Sequence, residues 1–247
     1  MEVWTSSLTP IRRKGSIALL NVFLCMMEVC MSCKLQVALD FAEMEPALEV
    51  AKAVAPWVDI LEAGTPLIKS VGLEVVRQLR NEFPDKLVYA DMKSTDVGAF
   101  EADLAFKAGA DFTVASGVTT DATIKEVQRV AKEQGRRCVV DLTGIRDITM
   151  RCTELEPHGI DLVLVHRSID EEVTSGADWD ESDCALLTEI NAMGIDVMIA
   201  GGINAENLPM FCEVPLYAVV VGRGITAQKD PSAAAEHLYK VIQTKFR

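Results

Sequence analysis

Eight short apolar runs, each followed by a helical pattern, constrain this chain more than any other feature. The runs are Leu35–Asp40, Val58–Glu62, Leu87–Asp91, Phe112–Ala115, Arg137–Asp141, Leu162–His166, Asp196–Ala200 and Leu216–Val221. Helical patterns follow at Pro46–Val54, Leu67–Phe83, Val97–Lys107, Asp121–Glu133, Ile148–Glu156, Trp179–Met193, Ala205–Phe211 and Ser232–Thr244. Asp121 stands where it could cap its helix. Continuous Val/Ile/Leu strands alternating with helices predict a parallel sheet covered on both faces. Eight such units with no linker between them predict an α/β fold, a single-domain TIM (β/α)8 barrel over residues 34–247. An open doubly wound sheet is the alternative, but its GxGxxG signature after the first strand is missing.

Residues 1–33 stand apart. Arg12-Arg13-Lys14 precedes the apolar run Ile17–Met27, which resembles the start of a secretory signal and is too short to span a bilayer. No small-x-small cleavage site follows, so an upstream start before Met31 is the favoured reading. Seven scattered cysteines read as reduced cytoplasmic thiols; Cys30 and Cys33 fit C-x-x-C but have no second pair or histidine to complete a metal site. The net charge of -13 argues against nucleic-acid binding.

Chemistry gathers at the strand ends. Five runs finish in an ionisable residue: Asp40, Glu62, Asp91, Asp141 and His166. In a barrel these ring one mouth, and the turn Asp91-Met92-Lys93-Ser94-Thr95-Asp96 adds a lysine and a further acid. Side-chain alternation along an extended strand would bring Asp91 and Lys93 to one side. Glu62 and Asp91, on neighbouring strands, could share a hard cation such as Mg2+. His166 is placed for acid/base work, whereas His158 and His237 fall on helix or helix-end positions. The other half of the mouth has no acids. Gly201-Gly202 and Gly222-Arg223-Gly224 follow strands seven and eight, the usual phosphate site of this fold. A phosphate-gripping half facing an acid/base half suits a sugar phosphate.

The motif Asp91-x-Lys93-x-x-Asp96 resembles that of the orotidine 5′-monophosphate decarboxylase suprafamily, and the resemblance runs from about Lys34 to the end. Glu62, Asp141 and His166 resemble its magnesium-dependent branch, the 3-hexulose-6-phosphate synthases and 3-keto-L-gulonate-6-phosphate decarboxylases. Glu62–Lys69, Glu101–Asp111 and Val140–Gly144 look like the synthases. His166–Asp170, Gly176–Trp179 and Leu208–Phe211 look like the decarboxylases. The decarboxylases have glutamate where this chain has Asp141, and an arginine where it has Ile169, which favours the synthases.

The resemblance implies that Glu62 and Asp91 ligate Mg2+, with Lys93 beside an enediolate. It implies that Asp40 binds substrate hydroxyls, that His166 is the acid/base group, and that Asp141 lies near the reacting carbons. It places the phosphate on Gly201, Gly202, Gly222 and Arg223, and brings Asp96 from the partner of a homodimer. The implied reaction is aldol addition of formaldehyde to ribulose 5-phosphate and its reverse, in the cytoplasm. Keto-gulonate phosphate decarboxylation is the alternative; orotidylate decarboxylation and a non-catalytic sugar-phosphate-binding barrel rank below both.

Overall fold

The computed structural model describes residues 33–176 and 178–246. The sequence readings for residues 1–32, with Cys25 and Cys30, lie outside the described residues, while Cys33 is buried. Eight parallel strands close into a barrel in sequence order. They are β1 (Lys34–Leu39), β2 (Ile60–Ala63), β3 (Leu87–Ser94), β4 (Phe112–Ser116), β5 (Arg137–Asp141), β6 (Leu162–His166), β7 (Asp196–Ala200) and β8 (Leu216–Val221). The helices are α1 (Met44–Val54), α2 (Thr65–Val71), α3 (Glu74–Glu82), α4 (Gly98–Lys107), α5 (Asp121–Glu133) and α6 (Ile148–Leu155), followed by α7 (Ile169–Ser175), α8 (Glu181–Ala192), α9 (Arg223–Thr226) and α10 (Pro231–Lys245).

Alternation along each strand divides the core in two. Leu35, Val37 and Leu39 belong to the shell between strands and helices, while Ala38, Ile60, Tyr89 and Phe112 help fill the barrel. Both layers are closely packed, so truncating a buried leucine such as Leu61 to alanine costs about 2–5 kcal/mol. The filled barrel forms a floor, and side chains beyond it on each strand come out at the mouth.

Several elements differ from the sequence reading. The helix expected over Leu67–Phe83 breaks in two at Gly72, which adopts φ 72° and caps α2 by donating its N–H to Ile68 O (2.8 Å). Asp121 does not cap α5: Thr120 does, accepting from the Thr123 N–H, while Asp121 pairs with Arg151 at 2.8 Å. Between β6 and α8, where no helix was expected before Trp179, the chain forms α7, and the helix expected near Ala205–Phe211 is a single 3-10 turn, Leu208–Phe211. β3 runs three residues past Asp91, through an irregularity in its pairing with β4 between Ala90 and Ser94.

Candidate active site

That irregularity shapes the site. Lys93 has φ 44°, a left-handed conformation uncommon for a side chain of this size. Simple alternation therefore does not bring it to Asp91. A bulge does, and bulges re-aim side chains in this way. Lys93 Nζ lies 3.0 Å from Asp91 Oδ2 and 2.6 Å from Asp141 Oδ2 across the mouth. Burial alone would lower the lysine pKa, but the charges of Asp91 and Asp141 raise it, so Lys93 is a fixed cation.

Asp141 is the hub. Its side chain is 2% exposed. Oδ1 accepts from the Thr143 backbone N–H (2.8 Å) and hydroxyl (2.5 Å), while Oδ2 faces both Lys93 and His166 Nδ1, the latter at 3.1 Å. Burial would raise the Asp141 pKa. The His166 hydrogen bond and the Lys93 charge outweigh it and hold the carboxyl below the usual range. An ionised carboxylate only accepts, so Nδ1 of His166 carries the proton and Nε2 is left to exchange one with a ligand.

On the other side of Lys93 lie three acids. Asp91 accepts from the Thr65 hydroxyl at the start of α2 (2.5 Å), and Glu62 Oε2 accepts from Gln36 Nε2 inside the barrel (2.5 Å). Burial, then Asp91, then Asp40 push Glu62 well above the ordinary carboxylate range. The protein packed around Asp40, then the Asp91 charge, raise Asp40 too, although its side chain still reaches solvent at the mouth. Asp40 stands between two turns: a Cβ on Gly64 would collide with its Oδ1, and one on Gly222 would lie 3.7 Å from its Oδ2.

This donor set suits a divalent cation. Buried carboxylates crowded together are costly without positive charge, and Lys93 is the cation that faces them. Among the described residues no three carboxylate, histidine or cysteine side chains converge on a point a metal could occupy. Glu62 and Asp91, on the paired strands β2 and β3, are the two carboxylates that could hold such a cation.

The opposite side of the mouth is built from backbone. Gly201 and Gly202 have φ 96° and 65° and turn the chain sharply after β7; Gly222 precedes α9, which starts at Arg223. Arg223 is exposed. A cleft of about 260 Å3 borders Gly201, Gly202, Trp179 and Arg167.

Asp96 lies on the turn between β3 and α4. It is exposed, and its Oδ1 accepts from the N–H of Val97, itself in the left-handed region at φ 45°. His158 lies 3.4 Å from Asp121 and His237 borders a cleft by α10, neither in contact with the strand-end acids. Sequence reasoning missed Gln36, Thr65 and Thr143, which hold Glu62, Asp91 and Asp141. Only Gln36 left a signal: a polar residue in the middle of the apolar run Leu35-Gln36-Val37-Ala38-Leu39.

A parallel eight-stranded barrel with a lysine between two strand-end aspartates defines a class, and family comparison agrees. The chain belongs to the Orotidine 5'-phosphate decarboxylase / HUMPS family, matched over residues 33–238. Within that family it is 39% identical to the 3-hexulose-6-phosphate synthase of Mycobacterium gastri, covering 85% of this chain and 99% of that one. It is 34% identical to the 3-keto-L-gulonate-6-phosphate decarboxylase UlaD of Salmonella typhi, covering 84% and 95%. Among solved structures, a 3-hexulose-6-phosphate synthase superposes with a TM-score of 0.80 at 39% identity, covering 84% of this chain and 99% of that one. The 3-keto-L-gulonate-6-phosphate decarboxylase of Vibrio cholerae superposes with 0.79 at 30%, covering 87% and 100%.

Proposed function

We propose that the chain is a 3-hexulose-6-phosphate synthase, a carbon–carbon lyase that joins formaldehyde to ribulose 5-phosphate and reverses the reaction. The observation that carries this is the single Asp141 oxygen facing both Lys93 and His166. It sets a permanent cation and an oriented acid/base group over one small space. Ile169, three residues past His166, brings an exposed apolar side chain where a water-positioning cation would serve a decarboxylase.

His166 Nε2 takes a proton from the carbon next to the ketose carbonyl. The electron pair left behind forms an enediolate beside the Lys93 ammonium, which is already in place before charge develops. That carbon then bonds to the formaldehyde carbon, and the aldehyde oxygen gains the proton, so atoms and charge balance. Asp141 keeps the imidazole in the required tautomer and stabilises it while protonated. Glu62 and Asp91 would hold a divalent cation, which when bound would supply further positive charge against a developing oxyanion. Asp40, between the two halves of the mouth, receives substrate hydroxyls. Gly201, Gly202, Gly222 and Arg223 receive the phosphate.

Asp96 fits a shared site in a homodimer. Beside it, Val97, Phe100 and Leu104 place an exposed apolar stripe on α4 and the turn before it, Phe100 being 65% exposed. Such a stripe favours a protein partner. A second copy resting there would carry its Asp96 towards the neighbouring mouth. Mixing inactive Lys93→Ala and Asp96→Ala proteins should then regenerate activity in hybrid dimers; no recovery after subunit exchange would refute the sharing. The free thiols fit a cytoplasmic setting, and no helix among the described residues is long and apolar enough to cross a membrane.

The decisive assay supplies Mg2+ with either ribulose 5-phosphate and formaldehyde or 3-keto-L-gulonate 6-phosphate. Formaldehyde consumption without carbon dioxide release supports the synthase. Carbon dioxide release alone would assign the decarboxylase, the reading that similarity to UlaD keeps in view.

A further inference from the structure

The carbonyls of the turn after β7 are held by side chains outside the strand-end cluster. Trp179 Nε1 donates to the Gly201 carbonyl at 2.6 Å. Asn207 Nδ2 donates to the Gly202 carbonyl at 3.0 Å, with Asn204 Nδ2 adding a longer bond at 3.4 Å. The indole is itself fixed. The Arg167 guanidinium stacks on it at 4.3 Å and is tied to Asp183 of α8 at 2.7 Å, while Phe211 packs edge-on against it at 5.4 Å between centroids.

All peptide bonds of the described residues are trans. In a trans peptide the C=O of one residue and the N–H of the next point in opposite directions. Pinning the Gly201 carbonyl to Trp179 therefore aims the Gly202 N–H away from the indole. Pinning the Gly202 carbonyl to Asn207 aims the Ile203 N–H away from the asparagine. Among the described residues neither amide donates to a protein acceptor. Two successive glycines would otherwise let these peptide planes rotate.

We propose that Trp179 and Asn207 are positioning residues that orient the Gly202 and Ile203 amides as donors to the substrate phosphate. This rests on the reading of the β7 turn as the phosphate site. Arg167 extends the effect to the chemistry, because it follows His166 directly. Its N–H donates to Ala200 O at 3.0 Å, and its carbonyl stands where a Gly201 Cβ would collide with it. The turn that receives phosphate and the strand end that carries the acid/base group are thus in backbone contact.

The test measures inorganic phosphate binding by calorimetry, and steady-state kinetics, on the full chain. Trp179→Phe keeps the ring and removes the donor. It should weaken phosphate binding and raise KM for ribulose 5-phosphate by a common factor of about 5–20, with kcat within about twofold. A merely structural tryptophan would instead lower the melting temperature and kcat and leave phosphate affinity alone, which would overturn the proposal. Asn207→Ala, which removes the second donor without adding charge beside the phosphate, should act in the same direction and carries the test if Trp179→Phe fails to fold. Arg223→Ala separates the two readings. If it leaves phosphate affinity unchanged, the phosphate site itself is misplaced. If it weakens phosphate binding while Trp179→Phe and Asn207→Ala do not, only the positioning role falls.

Discussion

The two halves of the mouth are made of different materials. From β1 to β6 the site is assembled from side chains: Asp40, Glu62, Asp91, Lys93, Asp141 and His166. From β7 to β8 it is assembled from peptide groups, with Arg223 as the added charge. The first half holds buried charges in fixed geometry, which suits an electrostatic demand that appears only as bonds break. On the proposed reading, the second half offers backbone donors to a phosphate whose charge is present throughout. Side-chain changes in the first half should therefore damage turnover, and changes in the second should damage binding.

The largest break of that contrast comes from Lys93→Ala. It removes the cation 2.6 Å from Asp141 and 3.0 Å from Asp91, and kcat should fall by about a thousandfold or more. Circular dichroism should report a folded barrel; full activity would show that Lys93 does not act in the chemistry.

Asp141→Asn should follow, lowering kcat by about 10²–10³, because an amide can present its N–H to His166 and favour the wrong tautomer. This variant also has a stability signature. The folded Asp141 pKa is depressed, so its contribution is present above the unfolded value and is lost as pH falls through the folded one. The melting-temperature gap between wild type and variant should be full near neutrality and close below about pH 4. A gap that widens with acid would contradict the assigned ion pairs.

Arg223→Ala tests the other half. KM for the phosphorylated ketose should rise about 10–100-fold with kcat changed far less. An equal loss in kcat would erase the division between the halves.

The same contrast explains what could be read in advance. The barrel was legible because the strands are short, mostly apolar runs alternating with helical patterns, and a slip of one position would send Leu35, Val37 and Leu39 inward. The acidic half was legible because each group sits at the last residue of a run, or one past it. Lys93 was found for a reason the structure replaces, since a left-handed bend rather than alternation aims it. Thr65 and Thr143 were not legible, because a threonine at a helix start or in a turn looks alike whether or not it holds a carboxylate. The orientation of the glycine turn was hidden for a deeper reason. Peptide-plane direction is set by Trp179 and Asn207, and no pattern in the chain ties those residues to Gly201 and Gly202.

Glu62→Gln has the smallest expected effect on stability, and the effect is a gain. Glu62 is buried beside Asp91 and Asp40, and its folded pKa is raised. A raised carboxyl contributes stability below the unfolded pKa and loses it as pH climbs toward the folded one, so ionising Glu62 opposes folding in metal-free protein at neutral pH. A neutral glutamine keeps the shape and can still accept from Gln36 Nε2. Metal-free Glu62→Gln should therefore melt roughly 2–4 °C higher than wild type at pH 7, equivalent to about 1 kcal/mol. Added Mg2+ should raise the wild-type melting temperature and not that of the variant. If the variant melts lower without metal, the carboxylate is stabilising by itself, and the case for a cation between Glu62 and Asp91 loses its physical basis.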